Sequence, residues 1–430
     1  MFWGRRATRR IDPTRIIGVE LNSSIVRAVS WGAEGLRPIP LQPPAEEMPL
    51  CLALHQRRLL HGRAAWSVSR TMPHAICDNF LPLLGHTQRW RFGRHTFTAE
   101  SALEAILKHL QPIWDAQAAP LAVAVPVYLT SEQVQRLATL FRRANCTLRA
   151  VLFGPLGVAT AFAAALQTPP SLTSPQNASE ALVQAYPSFS GLRQSPLTVG
   201  IIDVDTYALS AALVGISNDT ARILSFCAWP RLGLSAWYNR LLDAVADHCI
   251  RLCRRDPRDW PEAEQRLFEQ LPLAMEQCYA GQSIRLLLQT DAWYQELHME
   301  PEELETYCAD LSQAAEQAIR QMLQNTHNVC LPRALWLTTR ASRLPGLNRQ
   351  LQWNKSPGTR IEVLSSSAIA QAAATLTAQW PPTEHPIFLV GTIPLPANGH
   401  LSGFGSISRT TRQSIPTQTA ESHQSPEGNA

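Results

Sequence analysis

Lysine is almost missing from this sequence. Lys108 and Lys355 are the only two, so the formal charge of +4 rests on arginine. Those arginines are dispersed and accompanied by 34 acids, which argues against nucleic acid as a partner. No apolar segment approaches the length that crosses a bilayer, so no membrane insertion is expected. The basic start MFWGRRATRR has no apolar stretch behind it, which argues against a secretory signal. Paired cysteines are missing too. Nine Cys, an odd number without paired spacing, suit reduced thiols in a cytoplasm better than a disulfide framework. The cluster His248, Cys249, Cys253 has no second ligand pair of matching spacing, so no metal is expected there.

What is present is a chain of 430 residues, 45% hydrophobic, long enough for two or more domains with cores of their own. Residues 1–14 read as a basic extension. Residues 36–50, LRPIPLQPPAEEMPL, are punctuated by proline and read as extended loop. Residues 167–197 hold Pro, Ser, Gln and Ala between apolar blocks and read as a mobile insertion. Residues 401–430 have few large apolar side chains and read as a disordered tail. Between these stretches strands and helices alternate. PLAVAVPVYL (120–129) is a buried strand. TSEQVQRLATLFRRAN (130–145) is a helix with Val134, Leu137, Leu140 and Phe141 on one face, capped by Thr130 or Ser131. LRAVLFG is a strand, and PLGVATAFAAAL a helix apolar nearly all round. LTVGIIDVDTYALSAALVGI reads as two strands joined at a turn. GLSAWYNRLLDAVADHCIRLCRR is a helix with Trp237, Leu241, Leu242, Val245 and Ile250 facing inward. That order predicts an α/β protein. Two hairpin-led blocks, from residues 15 and 197, point to a duplicated architecture.

The stretch IIGVELNSS (16–24) poses the functional question. A β-branched run leads into Gly18, an acid and a tight polar turn, as where a strand opens onto a phosphate-cradling hairpin. Yet Asn22, Ser23 and Ser24 stand where glycine is expected. Five further fragments occur in a telling order: LLHGRAAW, FTAESALEAILKHL, AVPVYLTSEQVQRLATLFRRANCTLRAVLFGPLGVATAFA, RLGLSAWYNRLLD and LWLTTRASRLPGLNRQL. They resemble VGRAAK, PEE…ILKKL, VPAYF…QRQAT…AG…NEPTAAALAYG, HLGGEDFDNRLVD and VLVGGSTRIPKIQKLL of the heat-shock protein 70 (DnaK-like) chaperones. Over residues 15–400 the chain resembles the nucleotide-binding domain of that family. The resemblance implies a two-lobed actin-like ATPase fold, duplicated ribonuclease-H-like domains around a central cleft, in a bacterial cytoplasm. Lobe I would be 15–197, trimmed near 85–97, and lobe II 198–400, with hairpins 16–29 and 199–213 facing each other across the cleft.

The departures from the family bear on activity. Its first phosphate hairpin holds Asp and then Gly-Thr-Thr; here stand Glu20, Asn22, Ser23 and Ser24. Its second, Asp-Leu-Gly-Gly-Gly-Thr, becomes Asp203, Val204, Asp205, Thr206, shorter and with an added carboxylate. The catalytic lysine aligns with Leu81, and the glutamate before the hinge proline with Gly154. The GGED loop is Gly233, Leu234, Ser235 and Ala236. On the adenine side Glu276 and Ser283 are kept, but the Lys-Arg pair is Tyr279 and Ala280. The paired glycines are Thr339 and Arg340, with Ser342 beyond them. Phosphoryl transfer is positioning and charge neutralisation, and these changes remove both. The resemblance therefore implies a pseudo-ATPase scaffold for other proteins, of client or co-chaperone class, with no cofactor. The alternatives are an ATP-binding chaperone component, using ATP or ADP with Mg²⁺, or an actin-like assembly protein. Glu20, Asp203 and Asp205 are either polar turn residues at strand ends or the remains of a metal-assisted site. Arg340 is expected to reach those acids across the cleft, or to stop at Glu276. QRWRFGRHTF (88–97), with Trp90 between Arg89 and Arg91, is the candidate partner surface, whereas Trp237 belongs to the core. The chain is also expected to end where the family's peptide-clamping domain would begin.

Overall fold

The computed structural model describes residues 12, 14–167, 197–217, 220–291, 293–326, 332–354, 358–381, 383 and 385–394. The expectations for most of the basic extension, for the insertion and for the tail lie outside these residues. The protein is mixed α/β, as the alternation of strand and helix predicts.

The N-terminal half begins with β1 (Ile16–Leu21), β2 (Ile25–Gly32), β3 (Gly35–Ile39) and β4 (Glu47–Pro49). A small sheet follows, made of β5 (Leu52–His55), β6 (Arg58–His61) and β7 (Ile76–Cys77), then a hairpin of β8 (Trp90–Phe92) and β9 (His95–Phe97). β10 (Leu121–Val125) and β11 (Leu148–Phe153) complete the half. β1, β2 and β3 form an antiparallel meander, while β10 and β11 add in parallel on the other side of β1. The C-terminal half repeats this scheme. β12 (Leu197–Val204), β13 (Leu209–Ile216) and β14 (Thr220–Trp229) form the meander, and after a separate hairpin of β15 (Ile284–Gln289) and β16 (Tyr294–Met299), β17 (Ala334–Leu337) and β18 (Arg360–Val363) add in parallel beyond β12. The duplication expected from the two hairpin-led blocks is present in strand order and direction.

Local chemistry accounts for the elements. β1, β10 and β12 are buried along their whole length, so they read as continuous apolar runs rather than alternations. The Ser131–Arg143 helix starts in a capping box in which Thr130 Oγ1 accepts from the Gln133 N–H and the Gln133 side chain returns to Thr130 N–H. The stretch 36–50 is not loop alone, since it supplies β3 and β4 to the N-terminal sheet. Pro38 is tolerated in β3 because that strand ends the sheet, where a missing N–H breaks no ladder.

The Gly154–Gln167 helix explains its own apolar character. It packs on both sheets, with Phe162 edge-on to Trp336 at 4.6 Å, and its residues 154–163 are all buried. One core cluster consequently runs from β1 and β10 into β12, β13 and β17, and a second fills the C-terminal half around Trp237. The stretch HPIFLVGTIPLP makes two strands: β19 (Ile387–Leu389) joins β11 and β20 (Thr392–Pro394) joins β14. It stitches the two sheets together. Among the described residues no helix is long and apolar enough to cross a membrane.

Candidate functional site

The tips of the β1–β2 and β12–β13 hairpins touch. Ser24 Oγ lies 2.9 Å from Thr206 Oγ1 and accepts the Thr206 N–H at 2.7 Å, while Ser23 N–H donates to Asp205 Oδ2 at 3.0 Å. Within the first turn Asn22 Oδ1 accepts from Ser24 and Ile25 N–H, at 2.9 and 3.0 Å. Within the second, Asp205 Oδ1 accepts from Tyr207 and Ala208 N–H, at 3.0 and 2.9 Å. Tyr128 closes the set, with its hydroxyl 2.5 Å from Asp205 Oδ2 and 2.9 Å from Ser23 Oγ. A phosphate loop works because its backbone donors are left for the ligand. Here those donors are occupied by the side chains of Asn22, Ser24 and Asp205.

Across the same junction Arg340 reaches Glu20. Its Nη2 is 2.5 Å from Glu20 Oε1 and its Nη1 is 3.5 Å from Asn22 Oδ1. The other Glu20 oxygen is 3.1 Å from Arg27 Nη1, and Arg27 also pairs with Glu47 and the Ser366 carbonyl. Arg340 sits on the short Thr339–Ser342 helix after β17, where Thr338 caps the turn and donates through Oγ1 to Asp203 Oδ1 at 2.8 Å. Of the two expected reaches, the structure has the long one. Glu276 pairs instead with Arg343, at 2.9 Å.

Burial pushes the Asp203 carboxyl up to about 6, against the pull of Arg340 and with added repulsion from Glu20 and Asp205. It lifts Asp205 as well, opposed by the donors Tyr128, Ala208 and Ser23. Tyr128 rises well above the ordinary phenol value through burial and the neighbouring Asp205. For Arg340 burial works against the charge, but Glu20, Asp203, Glu47 and Asp205 outweigh it and hold the guanidinium more firmly protonated.

The remaining residues of the expected cleft are placed elsewhere. Gly18 lies under the Ala368–Ala378 helix, where a Cβ would stand 1.9 Å from the Ala370 carbonyl oxygen. Gly233 starts the Leu234–Cys253 helix against the Tyr207 backbone, where a Cβ would stand 2.6 Å from the Tyr207 carbonyl carbon. Both are packing contacts. Thr339 Oγ1 donates to the Leu364 carbonyl, Ser342 Oγ to the Thr339 carbonyl, and the exposed Ser283 to Glu300. Leu81 is fully buried in the core. The 88–97 hairpin forms, but Trp90 turns inward, edge-on to Phe80 at 6.5 Å, leaving Arg89, Arg91 and Arg94 outside. Cys249 and Cys253 face each other with sulfurs 3.5 Å apart, while His248 turns to Glu303.

Sequence reasoning missed Tyr128, Arg27 and Thr338. Tyr128 lies inside the VPVYL fragment, in the turn three residues beyond β10, and an aromatic hydroxyl just past a strand was the available signal.

Beyond the hairpin tips lies a cavity of about 630 Å³, reached by Ser24, Thr206 and Arg340. A second bridge joins the halves beside it. Arg70 N–H and the Trp66 carbonyl both bond the Gln265 amide, at 2.7 and 3.0 Å, Arg70 pairs with Glu264 at 3.4 Å, and its guanidinium stacks 4.2 Å from the Phe268 ring.

The chain matches no protein-family model and no curated protein.

Proposed function

We propose that this is a two-lobed protein of the actin-like, heat-shock-protein-70-like kind that has given up ATP turnover and serves as a scaffold for other proteins. The repeated strand order supports the two-lobed reading, each half carrying a three-strand meander extended by parallel strands. The observation that carries the functional reading is the occupied junction. Asn22, Ser24 and Asp205 take the hairpin N–H donors, and the Arg340–Glu20 pair spans the halves where phosphates and Mg²⁺ would otherwise bridge them. Leu81 has no charge with which to stabilise a transferring phosphoryl group, and Gly154 cannot orient a water. One such electrostatic contact is typically worth about a hundredfold to a thousandfold in rate, and several are absent together. The partners would be proteins of client or co-chaperone class. Calorimetric titration with ATP and ADP, with and without Mg²⁺, tests the reading. No binding heat and no phosphate release are expected. Mg²⁺-dependent turnover abolished by Asp203→Ala would overturn it.

A further inference from the structure

The cavity between the halves retains polar groups that the fold leaves unused. Arg63 and Asp78 from the N-terminal half and Glu269 from the other line it, and none of the three makes an ion pair among the described residues; Glu269 accepts a hydrogen bond from the Gln265 amide at 3.0 Å. Arg70 acts on Asp78 at a distance but is itself committed to Glu264. From the other half Tyr238 and Asn239 face the same space, and neither side chain makes a hydrogen bond among the described residues. Trp66 and Phe268, with ring centroids 5.0 Å apart, form an apolar wall that crosses from one half to the other. A volume near 630 Å³ falls within the span of about 300–1,000 Å³ usual for small-molecule sites, and an apolar wall with a few converging polar groups is their usual composition.

We propose that this cavity binds a zwitterionic ligand of amino-acid or short-peptide chemistry, its ammonium on Asp78, its carboxylate on Arg63 and its apolar body against Trp66 and Phe268. Arg63 and Asp78 are of opposite sign and do not pair with each other, so a ligand carrying both charges satisfies both, with Glu269 a second carboxylate for its ammonium. Tyr238 and Asn239 supply hydroxyl and amide groups for a peptide unit between them. A polyanion fits poorly, because three of the four arginines that line the cavity, Arg70, Arg340 and Arg343, are already paired with Glu264, Glu20 and Glu276, which leaves Arg63 as the one unpaired cation among the described lining residues. To that extent the inference rests on the proposed loss of nucleotide binding.

The test is calorimetric titration of the full chain with leucyl-phenylalanine, free phenylalanine and free leucine, with Trp66 fluorescence as a second readout. N-acetyl-leucyl-phenylalanine amide, the same body without charges, is the control. At least one of the three zwitterions should bind, with leucyl-phenylalanine at least tenfold tighter than its capped twin. Asp78→Asn and Arg63→Gln should each weaken binding about tenfold without lowering the melting temperature, because neither residue is ion-paired in the fold and burial already disfavours the Asp78 charge. Absence of binding by all three, or equal affinity for the capped control, would overturn the proposal. ATP is titrated separately. If it binds with Mg²⁺ the scaffold reading fails, whereas the zwitterion result judges the cavity alone.

Discussion

Arg340 is the side chain on which the junction turns. Its partner Glu20 is only 3% exposed and the guanidinium 19%, so this pair is not the screened surface kind whose contribution is near zero. Breaking a buried ion pair from one side strands the other charge, at about 3–5 kcal/mol. Arg27 still holds the second Glu20 oxygen, so Arg340→Gly should lower the unfolding free energy by about 3 kcal/mol, read by urea denaturation. It should not confer ATP binding, since Asn22 and Asp205 continue to occupy the hairpin donors. An unchanged midpoint would mean that Arg340 does not tie the halves. Asp203 gives the residue scale its pH dependence. Its carboxyl lies near 6 in the folded protein against an ordinary 3.8, so the native state holds the proton more tightly than the unfolded chain. That favourable contribution is fully present below the unfolded value and is lost as pH rises through about 6. Asp203→Asn keeps an acceptor for Thr338 and removes the charge. Relative to wild type, the variant should therefore gain stability between about pH 4 and about pH 7, by at most ~3 kcal/mol. A difference that stays flat across that range would place the Asp203 pKa near its ordinary value.

At the scale of elements, the Ala368–Ala378 helix lies so close on β1 that only glycine fits at position 18. A Cβ there would stand 1.9 Å from a backbone oxygen, which cannot swing away as a side chain can. Gly18→Ala should cost about 3 kcal/mol or more, and Gly154→Ala much less, because its nearest neighbour is the movable Ile369 Cγ2 at 3.2 Å. Melting temperatures of the two variants decide this, and equal small losses would contradict the packing argument. Gly18 also marks what a sequence can and cannot disclose. Helix 130–145 was legible because its capping box and 3.6-residue period are local. The apolar Gly154–Gln167 segment was legible as a helix, but not as the element wedged between two sheets, because both of its partners are distant in sequence. β3 and β4 were hidden in proline-punctuated chain, as their pairing depends on β2 rather than on their own pattern. The hairpin-tip residues could be named from the turn they form, and Arg340 from the glycine it replaces. Arg27 carried no such signal, and Tyr128 only that of an aromatic hydroxyl close after a strand. Their roles arise from contacts with Asp205 and Glu20 that no local period encodes.

The whole molecule is held at three places, and they differ in kind. At the base the Gly154–Gln167 helix and the β19–β20 stretch belong to both halves, within one continuous core. At the junction the contacts are polar: Arg340 to Glu20, Ser23 to Asp205, Ser24 to Thr206. Beyond the cavity Gln265 and Arg70 make the third bridge, again polar apart from Phe268. A buried apolar base with two polar bridges is a hinge that opens only if both bridges are cut, because each alone keeps the cavity walls together. The quadruple variant Ser24→Ala/Asp205→Ala/Arg340→Gly/Gln265→Ala, which removes the junction contacts and the Gln265 bonds, should therefore enlarge the radius of gyration in small-angle X-ray scattering, while Gln265→Ala alone should not. Hydrogen exchange should quicken in the hairpin tips and around residues 66–70, yet amides of the Gly154–Gln167 helix should keep their protection, since local opening follows the weakly packed regions. Loss of protection in that helix would mean that the halves come apart at their base, and that the polar bridges hold up the fold itself rather than close a cleft.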